Sequence, residues 1–166
     1  RKGKGLLLDE PLATNLTLQA LDSVHPGTRL DHAGEDRALD RAVETYDIRV
    51  RNRHLSAGQL SGGNQQKLLL AKVMLTDPAV VIIDEPTRGI DIGTKQQMYV
   101  LIRRLAAEGR AIVVISSEMQ EVIGLSDRIL VMRHGRITGE LDGDATEDAI
   151  VRLAMGVTPT PLKEPA

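Results

Sequence analysis

Two short aliphatic runs most strongly constrain what this chain can fold into. The runs AVVIID (79–84) and AIVVIS (111–116) are rich in β-branched residues and carry no polar side chain before their last position. Such strands are typical of parallel sheets that are covered on both faces. Between them, residues 94–108 have helical spacing, and Gly109 is placed to end the helix. This order predicts an α/β fold with a largely parallel sheet.

The rest of the chain predicts one domain, over residues 1–156, made of a helical region at about 9–76 and a strand-containing region at 77–156. Residues 157–166 are rich in proline, and we expect this tail to be disordered. Periodicity, turn and capping residues predict four further elements. These are a helix over 35–48, a helix over 62–75 capped by Ser61, a hairpin over 127–141 turning at His134-Gly135, and a helix over 147–155 capped by Thr146.

Composition excludes several classes of function. Lys and Arg total 21 against 23 Asp and Glu, a net charge of −2, so the basic surplus typical of nucleic-acid binders is absent and we expect no such partner. The chain has no cysteine, which excludes disulfides and thiolate metal sites. No uncharged apolar run approaches the ~20 residues that a membrane span needs.

A first chemical motif is LSGGNQQ, at residues 60–66. Two glycines follow a potential capping serine at the start of a predicted helix. Free backbone N–H groups and the positive end of the helix dipole make such a position suitable for a phosphate or another anion. Taken alone, the triplet is more typical of an ordinary capped helix after a flexible turn, because such triplets are common.

A second motif is the pair Asp84-Glu85 at the end of the first aliphatic run. Ligands of open α/β sheets bind at the carboxyl ends of the strands. In P-loop ATPases the first carboxylate helps to hold Mg²⁺, and the next can orient or deprotonate the attacking water. Taken alone, the pair is also compatible with solvated charges that end a strand.

The order of these motifs resembles the ATP-binding cassette (ABC) ATPases. LSGGNQQ resembles their signature, VVIIDE their Walker B strand and RGID (88–91) their D-loop. The resemblance implies a partial P-loop NTPase-like fold of the ABC ATPase type, with ATP and Mg²⁺ as cofactors. It implies that Asp84 serves Mg²⁺ through a water molecule and that Glu85 is catalytic. It also implies that the partner cassette's ATP is contacted by Ser61, Gly62, Gly63 and Gln65, and that Asp91 acts in the D-loop.

Longer stretches, LSGGNQQK, DEPTRGIDIGTK and ISSEMQEVIGLSDRILVM, resemble monosaccharide-import ATPases in which two cassettes are fused in one chain. The match is to the carboxy-terminal part of the second cassette. The implied partners are the amino-terminal cassette or a second ATPase chain, transmembrane permease subunits and, indirectly, a periplasmic or extracellular solute-binding protein. The implied location is peripheral, on the cytoplasmic face of the membrane.

Two departures from the family pattern limit these expectations. No G-x-x-x-x-G-K-[ST] loop occurs in the 166 residues, so we expect the chain alone neither to bind ATP well nor to hydrolyse it. The family's switch histidine is replaced by Ser117, which cannot carry an imidazole's charge. Alternatives are therefore a degenerate cassette that closes on ATP without hydrolysis, or an importer ATPase for nucleosides or a signalling sugar. DNA-repair ATPases fit poorly, because residues 1–60 show no heptad run.

Overall fold

The computed structural model describes residues 5–24, 29 and 31–157. Within those residues the chain forms helices, one short 3-10 turn at Ala57–Gln59, and strands. The helices are α1 (Leu12–Thr17), α2 (Leu21–Val24), α3 (His32–Thr45), α4 (Gly62–Met74), α5 (Ile92–Ala107), α6 (Met119–Leu125) and α7 (Glu147–Met155). The strands are β1 (Val80–Asp84), β2 (Ala111–Ile115), β3 (Arg128–Arg133) and β4 (Arg136–Asp142).

The chain divides into two compact units, and the first combines the described residues up to Val81 with Pro86–Val113. Its core joins α1, α3 and α4 through leucines that are almost completely buried, among them Leu12, Leu39 and Leu68. Burial of this apolar surface is the main force that holds these short helices together, because α1 has only 6 residues and is too short to be stable alone.

The buried side chain of Lys67 links three helices of this unit through hydrogen bonds. Only 2% of its surface is exposed, and its Nζ donates to the Asp47 carbonyl at 2.7 Å, to Asp47 Oδ2 at 3.0 Å and to Gln97 Oε1 at 2.9 Å. All three ammonium protons therefore have acceptors, which removes most of the cost of burying the charge. The end of α3, the middle of α4 and the first half of α5 meet at this side chain.

Strands β1 and β2 pair with each other. Hydrogen bonds from Ala111 N to the Ala79 carbonyl (3.0 Å) and from Glu85 N to the Ile115 carbonyl (2.7 Å) show that the two strands run parallel, as predicted. The prediction that both faces are covered is wrong for the described residues. Val81 is buried, whereas Val80, Ile82, Val113 and Ile115 are exposed. Successive side chains of a strand point to opposite faces, and within the described chain nothing packs on the second one.

The second unit combines Ile82–Glu85 with the described residues from Val114 onward. Strands β3 and β4 form the predicted antiparallel hairpin. His134 and Gly135 have φ angles of 48° and 74°, as a two-residue type I′ turn requires. Ile129 and Val131 pack with Ile150 of α7, and the Thr146 hydroxyl caps α7 by accepting a hydrogen bond from Ala149 N.

Other predictions have mixed outcomes. The helix expected over 35–48 lies at His32–Thr45. It begins earlier because the Asp31 side chain accepts from Gly34 N and caps the helix. It ends earlier, before Asp47, whose φ of 48° is not helical. Gly109 follows α5 with φ 92°, as expected. Residues 158–166 of the tail lie outside the described residues, and the boundary near 76 remains a prediction. None of the helices in the described part has the length and apolar character needed to cross a membrane.

Burial lowers the pKa of Lys72 below the ordinary 10.5, while its Nζ donates to the Gly5 carbonyl at 2.9 Å. The unfolded chain therefore binds more protons than the native chain between the lowered pKa and 10.5, and we expect the free energy of unfolding to rise with pH in that interval. Urea unfolding of the chain and of Lys72→Met along an alkaline pH series measures this. The rise should be smaller in Lys72→Met, and equal slopes in the two proteins would contradict the prediction.

Candidate functional site

Helix α4 begins directly at the two glycines of the LSGGNQQ motif. Ser61 precedes them in an extended conformation, but its side chain does not cap the helix as predicted. The reason is that Asn64 Nδ2 donates to the Ser61 hydroxyl at 3.0 Å and engages it with a side chain. Among the described residues, the backbone N–H groups of Gly62, Gly63 and Asn64 have no acceptor. The start of this 13-residue helix therefore combines donors that lack a partner with the positive end of the helix dipole; Gly62 is exposed there, whereas Gly63 is buried.

Asn64 also holds the preceding loop in place, a role that sequence reasoning missed. Its Oδ1 accepts a hydrogen bond from Arg49 N at 2.9 Å, so one side chain links the loop, the motif serine and the first turn of α4. Its position three residues after Ser61 was the available signal, because side chains at that position commonly reach back to the capping residue.

Both glycines lie against the segment that begins α5, within the same unit. A Cβ atom on Gly62 would lie 3.6 Å from the Gly89 carbonyl and 3.7 Å from Ile90 Cγ2, which is ordinary contact. A Cβ atom on Gly63 would overlap the Thr94 methyl group. Gly63 is therefore required by a close approach of α4 to α5, in addition to any ligand it meets.

Asp91, the predicted D-loop aspartate, caps α5. Its Oδ1 accepts from Thr94 N at 2.9 Å and its Oδ2 from the Thr94 hydroxyl at 2.7 Å. These hydrogen bonds with Thr94, the side-chain one first, lower the pKa of Asp91 below its usual value. Both carboxylate oxygens are thus engaged within the chain.

Gln65 lies on the inner side of the same helix turn. Its Nε2 donates to the Leu60 carbonyl at 3.0 Å, which fixes the side chain against the motif's first residue. Together with Gly62, Arg88 and Ile90 it lines a cavity of about 220 Å³. The signature-like residues and the segment 88–91 thus share one region of the first unit.

Glu85 and Ser117 come together in the second unit. Ser117 N donates to Glu85 Oε1 at 3.0 Å. Glu85 has a positive φ of 52°, which is unusual for a residue with a side chain and is characteristic of functional sites. The contact uses the backbone of Ser117 rather than its hydroxyl. Any residue type except proline could therefore make it at position 117, and the serine side chain is not needed to orient Glu85.

Asp84 is exposed at the carboxyl end of β1, where the sequence predicts a Mg²⁺ contact. Across the described residues, no group of three His, Cys, Asp or Glu side chains could hold a metal ion. Mg²⁺ usually binds one or two carboxylates together with phosphate oxygens and waters. A single carboxylate at this strand end therefore fits Mg²⁺ that arrives with a nucleotide.

Comparison with known proteins adds the family. A family model described as "ABC transporter" matches residues 10–88. The chain is similar to the ribose import ATP-binding protein RbsA 1 of Burkholderia ambifaria, at 47% identity over 161 residues that cover 94% of this chain and 31% of that protein. It is 43% identical to the ribose import ATP-binding protein RbsA of Bacillus subtilis, over 94% of this chain and 32% of that protein. Residues 10–88 therefore form part of an ABC transporter domain.

Solved ABC cassettes share its fold. The dimeric ATP-binding cassette MJ0796, in a post-hydrolysis state with ADP and Pi, gives a TM-score of 0.71 at 19% identity, over 85% of this chain and 60% of that one. The cassette MJ1267 in its ADP conformation gives 0.68 at 21% identity, over 90% of this chain and 60% of that one. The P-loop NTPase-like α/β fold of the ABC type, present in part, is confirmed. The chain spans about a third of the length of its curated relatives.

Proposed function

We propose that this chain is part of the ATP-binding subunit of an ABC importer for a monosaccharide, ribose or a close relative of it. The observation that carries the proposal is the start of α4, where the N–H groups of Gly62, Gly63 and Asn64 lack acceptors in the described chain. An anion such as a nucleotide phosphate satisfies such groups. The similarity to ribose import ATP-binding proteins supports the solute class.

In this proposal the signature residues serve the nucleotide of a partner cassette. Ser61, Gly62 and Gly63 contact a phosphate through the hydroxyl and the backbone N–H groups. Gln65 supports them by holding the Leu60 carbonyl, since its side-chain amide is already engaged there. Asp91 belongs to the adjoining D-loop. A phosphate at this point is stabilised by the helix dipole as well as by hydrogen bonds. In the proposal this phosphate belongs to ATP that a second cassette brings to the site.

Asp84 and Glu85 serve the other nucleotide, which the same cassette holds. Glu85 accepts a proton from, or orients, the attacking water, and the Ser117 amide holds one of its carboxylate oxygens in place. Asp84 supplies an oxygen toward Mg²⁺, directly or through water. When bound, Mg²⁺ neutralises charge on the phosphate oxygens.

The proposed partners follow from the same reading. They are an amino-terminal cassette or second ATPase chain, membrane permease subunits and a solute-binding protein, with this chain peripheral at the cytoplasmic face.

A second candidate function is that of a cassette that closes on ATP with little hydrolysis of its own. It is favoured by Ser117, because a serine at that position holds Glu85 only through its backbone and brings no imidazole to the γ-phosphate.

Nucleotide binding and transport test the proposal. In calorimetry the 166-residue chain should show no saturable Mg-ATP binding, because it holds no G-x-x-x-x-G-K-[ST] loop. The full-length protein should bind and hydrolyse ATP, and with its permease and binding protein in proteoliposomes its ATPase rate should rise with ribose. A non-sugar solute of similar size is the control. Stoichiometric ATP binding by the short chain, or no response to any monosaccharide, would contradict the proposal.

A further inference from the structure

Thr94, in the first turn of α5, lies between Asp91 and Gly63. The Asp91 carboxylate accepts from its backbone N at 2.9 Å and from its hydroxyl at 2.7 Å. The side-chain bond fixes the rotamer of a β-branched residue, which has few alternatives. Its methyl group is thereby held toward Gly63, where a Cβ atom would overlap it.

A second contact joins the same two helices a turn further on. Lys67, four residues after Gly63, donates from Nζ to Oε1 of Gln97, three residues after Thr94, at 2.9 Å. Residues three or four apart lie on one face of a helix. The first two turns of α4 and α5 are therefore joined at two points, one apolar and one polar, and the helices cannot slide past each other without breaking one of these contacts.

From this arrangement we infer that Thr94 is a positioning residue. Asp91 holds the Thr94 side chain in one rotamer, and the Thr94 methyl group then fixes the position of Gly63. This sets where the signature N–H groups point. The inference rests on the proposed function, because the position of these N–H groups matters only when they meet a phosphate. Both parts of the side chain are needed. Serine keeps the bond to Asp91 and loses the methyl contact, whereas valine keeps the shape and loses the bond.

This inference gives Asp91 a role within its own chain. Both of its carboxylate oxygens hold Thr94, so the side chain acts on the signature through Thr94 rather than through direct contact with Gly63. The segment from Gly89 to Asp91 also lies close to the signature at Gly62, where an added Cβ atom would be 3.6 Å from the Gly89 carbonyl.

The test uses the full-length protein and steady-state ATPase measurements on Thr94→Ala, Thr94→Ser and Thr94→Val. The matched control is Thr76→Ala, which removes a hydroxyl bonded to the Val73 carbonyl just beyond the other end of α4. Because small misplacements of positioned groups are costly, we expect kcat/KM for ATP to fall on the order of tenfold in Thr94→Ala and about threefold in each conservative variant. Thr76→Ala should stay within about twofold while its melting temperature falls as much as that of Thr94→Ala.

A rescue experiment separates positioning from general destabilisation. Gly63→Ala places a methyl group against Thr94, and it should lose more activity than Thr94→Ala alone. In Gly63→Ala/Thr94→Ala the overlapping methyl and hydroxyl groups are gone, and the remaining Cβ atom lies 3.1 Å away. We expect the double variant to recover about tenfold of the activity lost in Gly63→Ala, a non-additivity expected of residues that interact and not of independent sites.

The outcomes distinguish the inference from the function it depends on. An unmodified full-length protein without ATPase activity overturns both. An active protein in which Thr94→Ala behaves like Thr76→Ala, or in which Thr94→Ala gives no rescue of Gly63→Ala, overturns the positioning role and leaves the proposed function standing. Graded losses with rescue support both.

Discussion

Gly63→Asp should reduce the ATPase rate of the full-length protein by about a hundredfold or more, the size of effect expected when preorganised phosphate donors are lost. The new Cβ atom would overlap the Thr94 methyl group, so the start of α4 must shift. Its carboxylate would then compete with a phosphate for the free N–H groups at the positive end of the helix. Steady-state ATPase and solute uptake in reconstituted transporter measure the loss. Gly124→Asp is the control, because a Cβ atom there meets nothing within 4 Å.

Glu85→Gln should cost less activity than Gly63→Asp. Glutamine keeps the Oε1 atom that accepts from Ser117 N, so the local geometry survives. The site that Glu85 serves already lacks the imidazole of the switch position, since Ser117 stands there, and we expect it to contribute little of the total flux. Equal and nearly complete loss in both variants would contradict this asymmetry and would indicate that the two nucleotide sites are obligatorily coupled.

Asn15→Leu should lower the free energy of unfolding of the chain by about 2 kcal/mol or more, because Leu7 N loses its acceptor and three backbone carbonyls each lose one of two hydrogen bonds. The Asn15 side chain is 0% exposed. Its Oδ1 accepts from Leu7 N at 2.7 Å, and its Nδ2 donates to the carbonyls of Leu7, Glu10 and Pro11 at 2.8, 3.1 and 3.1 Å. Leucine has a similar volume and none of these bonds. Urea unfolding monitored by circular dichroism measures the change.

The matched control for Asn15 is Asn52→Leu. The Asn52 side chain accepts a single hydrogen bond, from His54 N at 2.9 Å, on an exposed loop. We expect a loss below about 1 kcal/mol there. A comparable loss in the two variants would mean that the four-bond arrangement of Asn15 adds nothing to stability, and it would refute the prediction.

Local sequence signals predicted the elements whose cause is local. The strands β1 and β2, the His134-Gly135 turn and the Thr146 cap follow from β-branched runs, residues that tolerate positive φ and a hydroxyl before a helix. The order of the motifs likewise predicted the family. Helices α1 and α6 were missed because 6 and 7 residues are too few to show a helical period, and their existence depends on packing.

For the candidate site, the sequence by itself predicted which residues carry the chemistry: the glycines at the start of α4, the carboxylates at the end of β1, and a serine in the switch position. Only the tertiary structure decided how they are held. It placed Thr94 against Gly63, 31 positions earlier, and Ser117 N on Glu85, 32 positions earlier. In the structure the Ser61 hydroxyl accepts a hydrogen bond from the Asn64 side chain and does not cap the helix as the sequence predicted. Contacts between distant residues depend on how whole elements pack, and no periodicity within one element encodes them.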